Sequence, residues 1–222
     1  MVKRLIAKLK IKGALKSIPY EDIIIDTQIP ILNCEVWVKD GGDTNDLIFD
    51  CSVLNGRYIR DYLDENRYSN EYYHHPQINF PDYLEFKLNA HGLDAVASQC
   101  GWSIEFFLFG FGDEYNGTPT KDYDTAKLKN GIEFTMWSAT CMGAKVEIRE
   151  VQNGEIINRY TVGNCGELTT FYFKIQKNGT THDIYADDTF IASLQFPPTP
   201  KVFLYAHLDK LSYIKVYDIL NE

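Results

Sequence analysis

The dipeptide Asn-Gly occurs five times in this chain, beginning at Asn55, Asn116, Asn130, Asn153 and Asn178. Both residues tolerate positive φ, so Asn-Gly between alternating apolar and polar runs is the strongest short-range signal for a β-hairpin. Around Asn178 the alternation is clean. Phe171, Phe173 and Ile175 share one face, and Tyr172, Lys174 and Gln176 share the other. Beyond the turn, His182, Ile184 and Ala186 alternate with Asp183 and Tyr185. A third run, Phe190, Ala192 and Leu194, stops at Pro197-Pro198, and further strands are expected over 201–206 and 212–219. This is the pattern of an antiparallel meander.

The first half is less regular. Runs over 31–39, 46–51 and 82–88 read as strands, whereas 61–80 reads as a polar excursion in which Arg60 to Glu65 offers one helical turn. A second long loop is expected over 112–129, and loops of that length are commonly functional. With 15 Tyr, 13 Phe and 3 Trp, the chain is rich in side chains that suit a pleated, half-buried sheet. No apolar run approaches the ~18–20 residues that span a bilayer, so a soluble protein is expected. Residues 20–222 are read as one all-β sandwich domain, a size ordinary for that class, behind a basic segment at 1–19.

That basic segment stands apart electrostatically. Lys3, Arg4, Lys8, Lys10, Lys12 and Lys16 precede any acid, and the rest of the chain holds 16 basic residues against 31 acidic ones. Lysines interrupt its apolar residues, so it does not read as a secretion signal. The alternating Lys8-Leu9-Lys10-Ile11-Lys12 fits a charged edge strand protected against stray pairing. The alternative is an arm that docks through Lys3, Arg4, Lys8, Lys10 and Lys12 on an acidic protein neighbour. The acidic body disfavours nucleic acid and anionic membrane as partners. Cys34, Cys51, Cys100, Cys141 and Cys165 are odd in number and form no C-x-x-C pair, which suits free thiols in a reducing compartment. Asn116-Gly117-Thr118 and Asn178-Gly179-Thr180 match the glycosylation pattern but are read as turns.

The order of the segments carries a resemblance. Pro81-Asp82-Tyr83-Leu84-Glu85-Phe86 is followed by Gly101-Trp102-Ser103-Ile104-Glu105-Phe106-Phe107. Later come Phe171-Tyr172-Phe173-Lys174-Ile175 with Asn178-Gly179, then Asp183-Ile184-Tyr185-Ala186-Asp187-Asp188, and last Ile214-Lys215-Val216-Tyr217. This succession resembles the laminin-G-like, concanavalin A-like jelly rolls over roughly residues 46–219. In those proteins a D-Y-L strand precedes an F-T-I-E-F-W strand, a V-x-R-N-G hairpin leads to L-Y-V-D-G, and a V-R-I-Y strand ends the chain. Phe107 stands for the usual Trp, and Asp188 for the usual Gly. The resemblance implies a two-sheet antiparallel jelly-roll sandwich. Among relatives that lack a signal peptide, many are virion components of tailed phages, in tails, baseplates or capsid decorations, and others bind glycans.

Enzymes of this fold carry motifs that are missing here. The E-x-D-x-x-E strand of the β-glucanases is absent. Tyr172-Phe173-Lys174 matches three positions of a uronate-lyase motif, whereas Gln-Ile-His does not occur and Glu147-Ile148-Arg149-Glu150 is a poor version of the arginine motif. The chain is therefore expected not to be an enzyme. One constellation suits binding. Alternation places Glu105 and Phe107 on one face of their strand, opposite Trp102, Ile104, Phe106 and Leu108. It places Glu133 and Trp137 opposite Ile132, Phe134 and Met136, and Glu147 and Arg149 opposite Val146 and Ile148. Glu105, Phe107, Glu133, Trp137, Glu147 and Arg149 thus form a candidate outer face on which a sugar stacks on rings and hydrogen-bonds to charges. The simpler reading of the same face, and the one favoured, is cross-strand ion pairing, with the aromatics covered by a long loop or a neighbouring subunit.

No histidine has a ligand-spaced partner, and no metal ligand or cofactor is assigned. The loop acids Asp113, Glu114, Asp122 and Asp124 read as a solvated acidic loop, with Ca²⁺ coordination as the alternative. The leading expectation is a non-catalytic structural and interaction protein of a virion, oligomeric in its assembly and put together in the host cytoplasm, with other virion proteins and glycans as partners. The alternative is a free-standing carbohydrate-binding module, and a glycoside hydrolase or lyase is the remote one.

Overall fold

The computed structural model describes residues 32, 36–42, 47–49, 58–60, 69–91, 104–139, 143–164, 168–208 and 213–221. The basic segment, all five cysteines and residues 61–65 of the helical turn expected over 60–65 lie outside these residues, and Arg60, its first residue, ends a strand instead. The described residues contain fourteen strands and no α-helix: β1 (Val38–Gly42), β2 (Leu47–Phe49), β3 (Tyr58–Arg60), β4 (Ser69–His75), β5 (Tyr83–His91), β6 (Ile104–Gly112), β7 (Gly131–Ala139), β8 (Gly143–Gln152), β9 (Glu155–Asn164), β10 (Leu168–Asn178), β11 (Thr181–Ala186), β12 (Thr189–Leu194), β13 (Lys201–Leu208) and β14 (Tyr213–Asn221). They form two seven-stranded sheets. The first runs β1-β4-β13-β6-β7-β8-β9 and the second β12-β11-β10-β5-β14-β3-β2. All recorded strand pairs are antiparallel. This is the all-β, two-sheet antiparallel sandwich expected from the sequence.

Turn chemistry sets the hairpins. Asn153 (φ 52°) and Gly154 (φ 77°) join β8 to β9, and both need the left-handed region that this dipeptide tolerates. Asp187 (φ 45°) and Asp188 (φ 63°) join β11 to β12, so an aspartate takes the conformation usually left to glycine. Asp187 compensates locally: its N–H donates to Tyr172 O at 2.9 Å, and its carboxylate accepts the Tyr172 N–H at 3.1 Å.

Between the sheets lies an aromatic core. Phe86 of β5 meets Phe109 at 4.9 Å, Phe134 at 5.1 Å and Phe173 at 5.2 Å between ring centroids, and it is fully buried. Complete burial of one such ring contributes ~2–3 kcal/mol. The alternation read in β7, β8 and β10 holds, because Ile132, Phe134, Met136, Val146, Ile148, Phe171, Phe173 and Ile175 all face this core.

The stretch 61–80 departs from expectation. It contains β4, whose register with β13 runs from Val202–His75 to Leu208–Ser69. The sequence of β4, Ser-Asn-Glu-Tyr-Tyr-His-His, lacks an apolar alternation, yet its backbone is paired on both sides, with β1 and β13. Glu71, fully buried, is held there by Lys39 Nζ at 3.1 Å and the Tyr73 hydroxyl at 3.2 Å.

Candidate functional site

The side of the first sheet that faces away from the core is itself covered. After β6 the chain makes a strap over residues 113–130 that crosses this outer face and returns into β7. The strap is a hairpin in its own right. Asn116 N–H donates to Lys127 O at 2.7 Å, Lys129 N–H to Glu114 O at 2.9 Å, and Tyr115 and Leu128 form a bridge. At one end the Tyr115 hydroxyl lies 2.8 Å from the carbonyls of both Tyr73 and Leu204, with its ring against Phe203 and Tyr72. In the middle, Gly110 and Gly112 leave room for Leu128. A Cβ at either position would stand 3.0 Å from its Cδ1. At the far end Tyr123 stacks on Trp137 at 4.4 Å and 15°. The turn between β8 and β9 pins the strap through Gly154 N–H to Lys129 O at 2.7 Å.

Two carboxylates clasp this arrangement. Glu133 Oε1 accepts the backbone N–H of Lys127 at 2.6 Å and of Leu128 at 2.8 Å. Its Oε2 lies 3.8 Å from Arg149 Nη1, and neither of these two buried atoms has a hydrogen-bond partner. Burial raises the Glu133 pKa, against the pull of Arg149 and of the two N–H donors. Glu147 Oε2 accepts Trp137 Nε1 at 3.1 Å and Arg149 Nε and Nη2 at 3.1 and 2.9 Å, with Arg159 Nη1 3.9 Å away. Lys127, almost without exposure, donates through Nζ to the carbonyls of Asp122 and Thr125 and to the Thr125 hydroxyl. Its ammonium stands 4.7 Å from the centre of the Phe106 ring, which the Arg149 guanidinium also approaches at 5.3 Å. Burial pushes Lys127 down to about 8, with Glu133 opposing the shift.

Four of the six residues singled out by sequence therefore meet on one face: Glu133, Trp137, Glu147 and Arg149. Glu105 and Phe107 do not join them. Phe107 belongs to the core between the sheets, and Glu105, two residues before it, shares that side and pairs in register with Ser138. Phe106 and Leu108 take the outer face instead. The physical reason is that β6 is apolar on both sides, one packed on the core and one under the strap, so its own alternation does not say which side is outside.

Sequence reading missed Phe106, Tyr123, Lys127 and Arg159. Arg159 could not be found by counting from the Asn153-Gly154 turn, because a bulge between Glu150 and Val151 shifts the register so that it opposes Arg149. The strap is a long loop that covers the aromatics of this face, as the structural reading of the pattern expects. Its acids are engaged. Asp113 accepts from Asn130 N and Nδ2 at 3.0 and 2.7 Å, Glu114 pairs with Lys129 at 2.7 Å, Asp122 accepts from Asp124 N at 2.9 Å, and Asp124 pairs with Arg159 at 3.1 Å. Among the described residues no group of three or more His, Cys, Asp or Glu side chains is placed to hold a metal ion. Tyr172 and Lys174, the lyase-like pair, lie on the solvent side of the second sheet, next to Lys87 and Tyr185 and away from the strap. The docking residues Lys3, Arg4, Lys8, Lys10 and Lys12 lie outside the described residues.

No family model matches the sequence. No curated protein matches it. Among solved structures, the chain is similar to the metal-free carbohydrate recognition domain of Emp46p, with a TM-score of 0.53 and 10% identity over 86% of this chain and 93% of that one. It is also similar to a legume lectin-like domain from Entamoeba histolytica, with a TM-score of 0.52 and 10% identity over 85% of this chain and 90% of that one. At such identity the likeness is one of fold alone: the chain shares the two-sheet antiparallel sandwich of those two domains.

Proposed function

We propose that this chain is a carbohydrate-binding domain without catalytic activity, and that it recognises a saccharide where the strap meets β8 and β9. The observation that carries this reading is the support given to Tyr123. Its ring lies flat on Trp137, and Trp137 is fixed in turn through Glu147. Around it Lys145 stands 5.4 Å from the Trp137 ring, and Arg159 and Asp124 form a half-exposed ion pair. A half-buried ring on a rigid sheet, flanked by donors and acceptors, suits the apolar face and hydroxyl edge of a sugar. The fold likeness to lectin-like domains favours the same reading.

The carboxylates argue against hydrolysis or elimination. A general acid or base must reach the substrate. Glu133 is fully buried beneath the strap and Glu147 is buried against Trp137 and Arg149, so neither carboxylate reaches a substrate at the surface. The virion-component reading rests on the basic segment, the odd number of cysteines and the family resemblance, and the fold lends it no support.

Calorimetric titration with a panel of neutral and acidic oligosaccharides tests the reading. Binding that weakens at least ten-fold in Arg159→Ala and Tyr123→Ala, with no new chain ends released, is expected. Turnover of any member, or the absence of binding across the panel, would overturn it.

A further inference from the structure

A concavity lies on the other sheet. Tyr83 of β5 and Gln176 of β10 are register partners, and their neighbours Leu84 and Ile175 are in the core, so both side chains face solvent. Asp82, just before β5, is tied to the same hairpin. It accepts the Lys177 N–H through its carbonyl at 2.7 Å and the Lys177 ammonium through Oδ1 at 2.6 Å. Gly179 follows in the turn with φ 65°, and no atom lies within 4 Å of where its Cβ would be. Asp82, Tyr83, Gln176, Lys177 and Gly179 together line an open depression of about 680 Å³.

The chemistry of this lining selects its occupant. It offers one aromatic ring, an amide that both donates and accepts, and a carboxylate and an ammonium that neutralise each other. An anion would meet Asp82, a cation would meet Lys177, and an apolar peptide would desolvate three polar side chains without matching them. A neutral polyol with an apolar face satisfies every group. Its C–H face lies on Tyr83, and its hydroxyls, each both donor and acceptor, pair with Gln176, Asp82 and Lys177. We infer that the depression formed by Tyr83, Gln176 and the Asp82–Lys177 pair is a second saccharide-binding site, on the sheet opposite the strap. The inference rests on the carbohydrate-binding reading but not on the strap-side location.

Calorimetric titration of the full chain with maltotriose, cellotriose and mannotriose separates the two. With a trisaccharide that binds, two equivalents are expected. Tyr83→Ala should remove one of them, and Arg159→Ala the other. Gln176 is exposed and outside the core, so Gln176→Ala serves as a second variant that leaves folding intact. It should weaken the same equivalent at least ten-fold. A single equivalent lost in Arg159→Ala and untouched by Tyr83→Ala and Gln176→Ala would overturn the second site alone. A single equivalent with the reverse pattern would support the depression and overturn the strap-side site. No heat with any of the three neutral sugars would overturn the second site, whereas the strap-side site falls only if the acidic members of the wider panel fail as well.

Discussion

Removing the Glu133 carboxylate is the sharpest test of how the strap is held. In Glu133→Ala, the N–H groups of Lys127 and Leu128 lose their acceptor, and Arg149 keeps only Glu147 as a buried counter-charge. A hydrogen bond to a charged group contributes ~1.5–3 kcal/mol, and breaking a buried ion pair by deleting one partner costs ~3–5 kcal/mol. These amounts overlap, because one carboxylate serves both, and deletion also relieves its own burial. The expected loss is therefore ~3–5 kcal/mol. With a urea slope of ~1–3 kcal/mol per molar, the unfolding midpoint should fall by roughly 2 M. Hydrogen exchange should show the amides of Lys127 and Leu128 losing protection first. Glu133→Gln keeps an oxygen for the two donors without the charge, so it should lose about half as much. The pH dependence adds a sign. Burial raises the folded-state pKa of Glu133, so its contribution is fullest below the unfolded value and declines as pH rises through the folded one. Glu133→Gln should flatten that decline. A loss under about 1 kcal/mol in Glu133→Ala, with the two amides still protected, would refute the clasp.

Two further predictions concern the strap. Lys127 titrates at about 8 when folded against a reference value of 10.5, so the unfolded state binds more protons between those values. The stability of the native chain relative to Lys127→Met should therefore rise by up to about 3 kcal/mol from pH 8 to 10.5, measured by urea unfolding; a flat difference would contradict the burial of a charged ammonium. Gly112→Ala would place a Cβ 2.5 Å from the Asn130 carbonyl oxygen, a backbone atom, and should destabilise by ~2 kcal/mol or more. Gly110→Ala meets chiefly the movable end of Leu128 and should lose less than half of that in the same unfolding assay. Equal losses would show that the strap backbone yields freely.

The sequence by itself determined the class of fold and much of its wiring. Asn153-Gly154 marked a hairpin because both residues accept positive φ, and Asn178-Gly179 marked another because Gly179 does. The alternation in β7 and β8 separated Glu133, Trp137, Glu147 and Arg149 from the core because each of those strands has one apolar and one polar-rich side. The orientation of β6 was decided only in three dimensions. A period of two reports that the faces of a strand differ, and Phe106-Phe107-Leu108-Phe109 presents an apolar face both to the opposite sheet and to the strap. The place of β4 between β1 and β13 was likewise non-local, since strand pairing depends on backbone groups contributed by distant segments rather than on its own polar sequence. The strap completes the contrast. Its acids and its length were visible in the chain, but which face it would cover depended on Gly110, Gly112, Trp137 and Glu133 arriving together from two strands, and only the folded sheet brings them side by side.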